Sequence, residues 1–185
     1  MEYEAAKRYE VRLSGTGGQG LMLAGRLLAE AAVLDGKRVV QTQSYGPEAR
    51  GGASKSEVII SDAPIDYPKA TIVDACLAMT QEAADKYANG IKKGGLLLID
   101  ADFVQNAPEG DFKVLRLPIM RMAKEDIGRE IVANVVALGA VIGLTGVVAR
   151  ESGEEAVLRK VPAAFKDLNK KAYSMGYEKG RELAE

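Results

Sequence analysis

At 185 residues, 47% of them hydrophobic, the chain is of a size to bury one core, and a single domain over 1–185 is expected. Its 25 basic and 26 acidic side chains leave a net charge of −1, which gives no electrostatic footing for DNA or RNA. There is no histidine and one cysteine, Cys76, which removes the commonest near-neutral proton carrier, any intrachain disulfide and any thiolate set able to hold an iron–sulfur cluster.

The opening MEYEAAKRYE is charged and has no apolar signal core, and no apolar run reaches membrane-spanning length, so a cytoplasmic location is expected. From Tyr9, YEVRLSG has the alternation of a strand with Val11 and Leu13 on one face. GLMLAGRLLAEAAVLDG then carries apolar residues at helical spacing until Gly36 stops it. KRVVQTQ and KSEVIIS are two further strands on either side of the loop SYGPEARGG, and TIVDACLAM is a buried strand whose Cys76 is expected to be an inert, covered thiol. QEAADKYANGI is expected to be helical with Thr80 as its N-cap, LLLID after the glycine pair at Gly94 is another strand, and VLRLP is expected to close the sheet. REIVANVVALGAVIGLTGVV is a long apolar helix, RESGEE a polar break, and LRKVPAAF and KDLNKKAYSMGYEKGRELAE are helices packed on the sheet, the last exposed and charged. Gly139 and Gly143, four apart, allow a close neighbour. Strands alternating with helices give an α/β fold, a Rossmann-like, mainly parallel sheet with helices on both faces and a helical carboxyl part.

GTGGQG, Gly15 to Gly20, follows the first strand and opens the first helix, where glycines permit a tight turn and helix-start amides face an anion. The bland alternative is a sharp turn that only packs helix on strand. A dinucleotide site would place an acid at the end of the second strand, yet that strand ends Val40, Gln41, Thr42, Gln43, and Asp35 comes too early. Dinucleotide binding therefore loses support, while phosphate binding survives and NAD does not follow from it. In SYGPEARGG, Pro47 to Arg50 suits one short helical turn, on which Glu48 and Arg50 diverge and need separate partners. This loop leaves the carboxyl end of the second strand and is expected beside the first glycine motif, with Arg50 facing a phosphate or carboxylate; the alternative is a rigid loop with solvated charges.

GTGGQG, the helix with AGRLLAEAA, and VVQTQSYGPEARGGASKSEVIIS together resemble the gamma subunit of 2-oxoacid:ferredoxin oxidoreductases, most closely the 2-oxoglutarate type. The similarity runs on through IDYPKATIVDACLAMTQEAADKY, GGLLLID and the apolar helix containing Asn134. Pyruvate-type gamma subunits are similar at the first glycine motif but usually differ in the loop, so the 2-oxoglutarate label rests on SYGPEARGG. The resemblance implies a subunit of an enzyme that joins a 2-oxoacid and coenzyme A to give acyl-CoA, CO2 and reduced ferredoxin. It implies thiamine diphosphate and [4Fe-4S] clusters in partner alpha and beta chains, with a ferredoxin-like delta chain as a further candidate and ferredoxin as acceptor. The thiamine pattern GDG is absent here, since Gly110 and Asp111 are followed by Phe112.

With no catalytic or metal-binding residue expected in this chain, the resemblance implies a part in coenzyme A recognition and in covering the active site, and the residues expected to serve it are Gly15, Gly17, Gly18, Gln19 and Gly20, together with Ser44, Tyr45, Glu48, Arg50 and Gly51. The amides of Gly17, Gly18, Gln19 and Gly20 and the Arg50 guanidinium are the expected phosphate contacts. Two other readings stay open: a free-standing NADP- or nucleotide-dependent enzyme, and a scaffold subunit only.

Overall fold

The computed structural model describes residues 8–45 and 52–185. Strand β1 (Arg8–Thr16) keeps the expected alternation: Val11 and Leu13 face the larger core, while Arg12 and Ser14 turn to the opposite face. Helix α1 (Leu21–Leu34) lies on the first face and buries Leu21, Ala24, Leu27, Leu28 and Ala31 there. Strands β2 (Arg38–Ser44), β3 (Ala53–Ser61), β4 (Val73–Ala78), β5 (Ile91–Asp100) and β6 (Lys113–Leu117) complete one sheet in the order β2-β3-β1-β4-β5-β6.

The pairs β1–β4, β4–β5 and β5–β6 are parallel, and β3 alone runs against its neighbours β1 and β2. Connection length explains the exception. Eight residues separate β2 from β3, enough for a hairpin but short of the dozen or more that a parallel crossover needs. Because β3 is reversed and inserted between them, β2 and β1 point the same way and their carboxyl ends share one edge of the sheet.

Helix α2 (Gln81–Tyr87) covers the second face with a smaller cluster that includes Cys76, Ala78, Tyr87, Leu97 and Ile99. Thr80 caps it as expected, its hydroxyl accepting from the Ala83 amide at 3.3 Å. The same face carries a buried ion pair. Arg12, 5% exposed, donates from Nε to Glu57 Oε1 at 2.7 Å and from Nη1 to the carbonyls of Tyr87 and Asn89 at 2.8 and 3.0 Å. Lys55 adds a second bond to Glu57 Oε1 at 2.8 Å.

After β6 comes α3 (Ile119–Arg121), which runs into a π-helical turn at Met122–Asp126. The apolar segment begins with a 3-10 turn, Glu130–Val132, and becomes α4 (Ala133–Thr145), ended by Gly146 in the left-handed conformation at φ 60°. RESGEE, expected as a break, is the first half of α5 (Arg150–Lys160). Acidic residues suit a helix start, and the Asp35 carboxylate accepts from the Ala149 amide at 2.7 Å and from the Ser152 hydroxyl. Gly153 is tolerated within the helix because Tyr173 and Ile142 fill the space a Cβ would need.

The last helix, α6 (Lys166–Ala184), departs from its expected exposure on one side: Ala172, Tyr173, Gly176 and Gly180 are buried, and its main neighbours are α4 and α5. Gly139 and Gly143 of α4 meet the backbone at Tyr173 and Tyr177, while Gly176 and Gly180 of α6 meet the carbonyls of Val136 and Ala140. A methyl group at any of the four would collide with backbone. The expected close neighbour of Gly139 and Gly143 is therefore α6. Among the described residues no helix is long and apolar enough to cross a membrane.

Candidate functional site at the glycine loop

The loop Gly15–Gly20 leaves β1 at the edge shared by the carboxyl ends of the parallel strands, the position where open α/β sheets hold ligands. Its shape is set by internal bonds. The Gln19 amide donates to the Thr16 carbonyl at 3.2 Å, and Gln19 Oε1 turns back to accept from the Thr16 amide at 2.8 Å. That side chain occupies the space beside Gly15, where a Cβ would collide with Gln19 Oε1 and come within 2.6 Å of Leu21 Cδ1. Gly18 and Gly20 have φ of 99° and 76°, so the chain enters α1 through left-handed conformations open to glycine.

These bonds narrow the expected set of phosphate contacts. The amides of Gly17 and Gln19 are already engaged, Gly17 with the Gly52 carbonyl at 3.4 Å and Gln19 with Thr16. Among the described residues nothing accepts from the amides of Gly18, Gly20, Leu21, Met22 or Leu23, and the first turn of α1 holds no acidic side chain. The donors open to an anion are thus displaced by a few residues toward the helix start, where the helix dipole also favours negative charge.

The Gly17–Gly52 bond and the pairing of Thr16 with Ala53 bring the end of the second loop against the first. The expected common edge is present. Glu48, Arg50 and Gly51 themselves, and the short turn over Pro47 to Arg50, lie outside the described residues. Ser44 and Tyr45 are exposed at the end of β2. Ser44 is in register with Lys55 and, across β3, with Ser14, which puts it two strand spacings, about 10 Å, from β1.

A groove of about 1060 Å³ opens beside the loop, between Gly18–Gly20, the start of α4 and the connection from α5 to α6. Leu23, Ile131, Val135, Val157 and Phe165 give it an apolar lining. Ile131 is 85% exposed and Phe165 54%, large values for apolar side chains. Arg129 and Lys160 also line it, Lys160 paired with Glu30 at 3.0 Å. Asn134, largely buried at the start of α4, donates from Nδ2 to the Gly20 carbonyl at 3.4 Å and lies where a Gly20 Cβ would be, 2.7 Å from its Nδ2. The groove was not visible in the sequence because its walls come from segments more than a hundred residues apart; Arg129 and Lys160 carried no local signal beyond their charge.

Two sequence expectations are resolved by partners. Asp35 is occupied at the start of α5, at the far end of α1, about 20 Å from the glycine loop, and is remote from any ribose held there. Cys76 is buried, its Sγ near the carbonyls of Leu77 and Tyr87, and burial pushes its thiol up to about 11, so it is protonated and inert at neutral pH.

Residues 10–179 match the family described as pyruvate ferredoxin/flavodoxin oxidoreductase. The chain is 52% identical over 179 residues to 2-oxoglutarate synthase subunit KorC of Methanocaldococcus jannaschii, a match that covers 95% of this chain and 96% of that protein. Its fold superposes on the gamma subunit of a keto/oxoacid ferredoxin oxidoreductase from Geobacter sulfurreducens with a TM-score of 0.89 and 58% identity, over 96% of this chain and 98% of the other. Pyruvate oxidoreductase subunit PORC of Thermotoga maritima is similar at a TM-score of 0.79 and 28% identity, over 93% and 96% of the two chains.

Proposed function

The chain belongs to the pyruvate ferredoxin/flavodoxin oxidoreductase family, and on that footing we propose that it is the gamma subunit of a 2-oxoglutarate:ferredoxin oxidoreductase. In this reading the assembled enzyme decarboxylates 2-oxoglutarate oxidatively with coenzyme A and passes electrons to ferredoxin in the cytoplasm. The 2-oxoglutarate assignment is supported by 52% identity to a 2-oxoglutarate synthase subunit against 32% to a pyruvate synthase subunit. Thiamine diphosphate and [4Fe-4S] clusters are assigned to alpha and beta partners, with a ferredoxin-like delta chain as a further partner. This chain does not fit a cluster: its one thiol is buried, and among the described residues no three His, Cys, Asp or Glu side chains gather as metal ligands.

The part proposed for this chain, acting as a single domain, is to bind coenzyme A. The observation that carries it is the set of amides at Gly18, Gly20, Leu21, Met22 and Leu23, unengaged among the described residues, at the edge where the second loop also ends. Those amides and Arg50 suit the coenzyme's phosphates, and the apolar groove with Arg129 and Lys160 suits the rest of an elongated, partly apolar molecule. Holding the coenzyme there orients its thiol toward an acyl group carried by a partner chain, so that binding energy serves the transfer step.

The test is Arg50→Ala in the reconstituted complex. Loss of a charged phosphate contact is expected to raise the Michaelis constant for coenzyme A about tenfold, with 2-oxoacid decarboxylation retained. An unchanged coenzyme dependence would count against the reading. The exposed Ile131 and Phe165 support a second one, a docking subunit, which predicts loss of assembly without altered coenzyme kinetics.

A further inference from the structure

The turn from Gly17 to Gly20, three of its four residues glycine, has a large conformational freedom to lose, and a loop that must present its amides to an anion loses affinity by the cost of becoming ordered. Two side chains outside the backbone ladder address that cost here. Gln19 Oε1 accepts from the Thr16 amide at 2.8 Å and fills the space over Gly15, which closes the loop from within. Asn134, from α4, presses on Gly20 and donates to its carbonyl at 3.4 Å, which holds the loop from outside. The Gly20 carbonyl is also the first acceptor of α1, taking the Ala24 amide at 3.0 Å, so Asn134 bears on the residue at which loop becomes helix.

We propose that Gln19 and Asn134 are positioning residues which lock the glycine loop in its ligand-ready shape before the ligand arrives. Gln19 thereby changes role, from a contact with the coenzyme to a clasp behind the residues that make that contact. The proposal rests on the reading of the loop as a phosphate site. The chemistry of each clasp is specific. Gln19 faces an N–H, so only its carbonyl oxygen is used, and a glutamate at 19 keeps that acceptor while adding a negative charge beside the anion. Alanine at 19 removes the acceptor altogether, and alanine at 134 removes both the wedge and the donor.

The experiment is amide hydrogen exchange over residues 16–24 in the assembled complex, read beside the coenzyme A saturation curve. Gln19→Ala and Asn134→Ala are expected to speed exchange in this segment about fivefold and to raise the Michaelis constant for coenzyme A more than they lower kcat. Gln19→Glu is expected to exchange at the wild-type rate yet raise the Michaelis constant, because the clasp is intact and the charge is repulsive. Wild-type exchange in Gln19→Ala, or equal loosening in Gln19→Glu and Gln19→Ala, would overturn the clasp. Loosened loops with an unchanged coenzyme dependence would leave the clasp standing and remove the coenzyme reading instead.

Discussion

Arg12 sits in the central strand of the sheet with its charge nearly sealed from water. Its guanidinium is matched by Glu57 and by two carbonyls at the end of α2, so a single side chain joins β1, β3 and α2. Removing Arg12 leaves the buried Glu57 carboxylate with Lys55 as its one remaining cation among the described residues, and deprives the Tyr87 and Asn89 carbonyls of their donor. Arg12→Ala is expected to cost about 3–5 kcal/mol, measured as the free energy of unfolding of the full chain in urea. At this scale the sequence was only partly legible. The glycines of GTGGQG occupy the loop expected of them, because strand, turn and helix signals lie side by side in the chain. Which amides are already used was not legible, since Gly17 is satisfied by Gly52 and the conformation of Gln19 depends on Thr16, whose carbonyl accepts from the Gln19 amide and whose amide donates to Gln19 Oε1. Asp35 likewise finds its partners at Ala149 and Ser152, more than a hundred residues away.

The helices α4 and α6 show what composition alone leaves undetermined. The apolar stretch through Ala140 announces a buried helix, and the spacing of Gly139 and Gly143 announces a close neighbour, but the charged segment that supplies the neighbour looks solvent-facing in sequence. Its small residues Ala172, Gly176 and Gly180 form one stripe, and through it backbone meets backbone. Gly176→Ala is expected to destabilise the chain by about 1–3 kcal/mol, the range for overpacking a tight contact, whereas Gly94→Ala, with open space at its Cβ and a φ of 74°, tests backbone strain without crowding. Thermal unfolding of the two variants separates the effects. RESGEE was misread because serine and glycine weaken a helix locally, while the capping carboxylate of Asp35 and the packing of Tyr173 on Gly153 favour it from a distance. The reversed β3 follows from the shortness of its connection, a signal present in the sequence but masked by the expectation of βαβ repeats.

For the molecule as a whole, the arrangement of strands decides where chemistry can happen. Inserting β3 antiparallel leaves β1 and β2 parallel, which gathers the glycine loop, the end of the second loop and the start of α1 at one edge, with the groove opening beside them. Beside the same edge lies Ile131, the most exposed large apolar side chain among the described residues, as suits a chain that works within a multisubunit enzyme. The most direct measurement is amide exchange on the assembled complex with and without saturating coenzyme A. Binding by this chain predicts slower exchange confined to the segments around Gly18–Leu23 and the loop ending at Gly52. Protection found only in partner chains, with these segments unchanged, would contradict it.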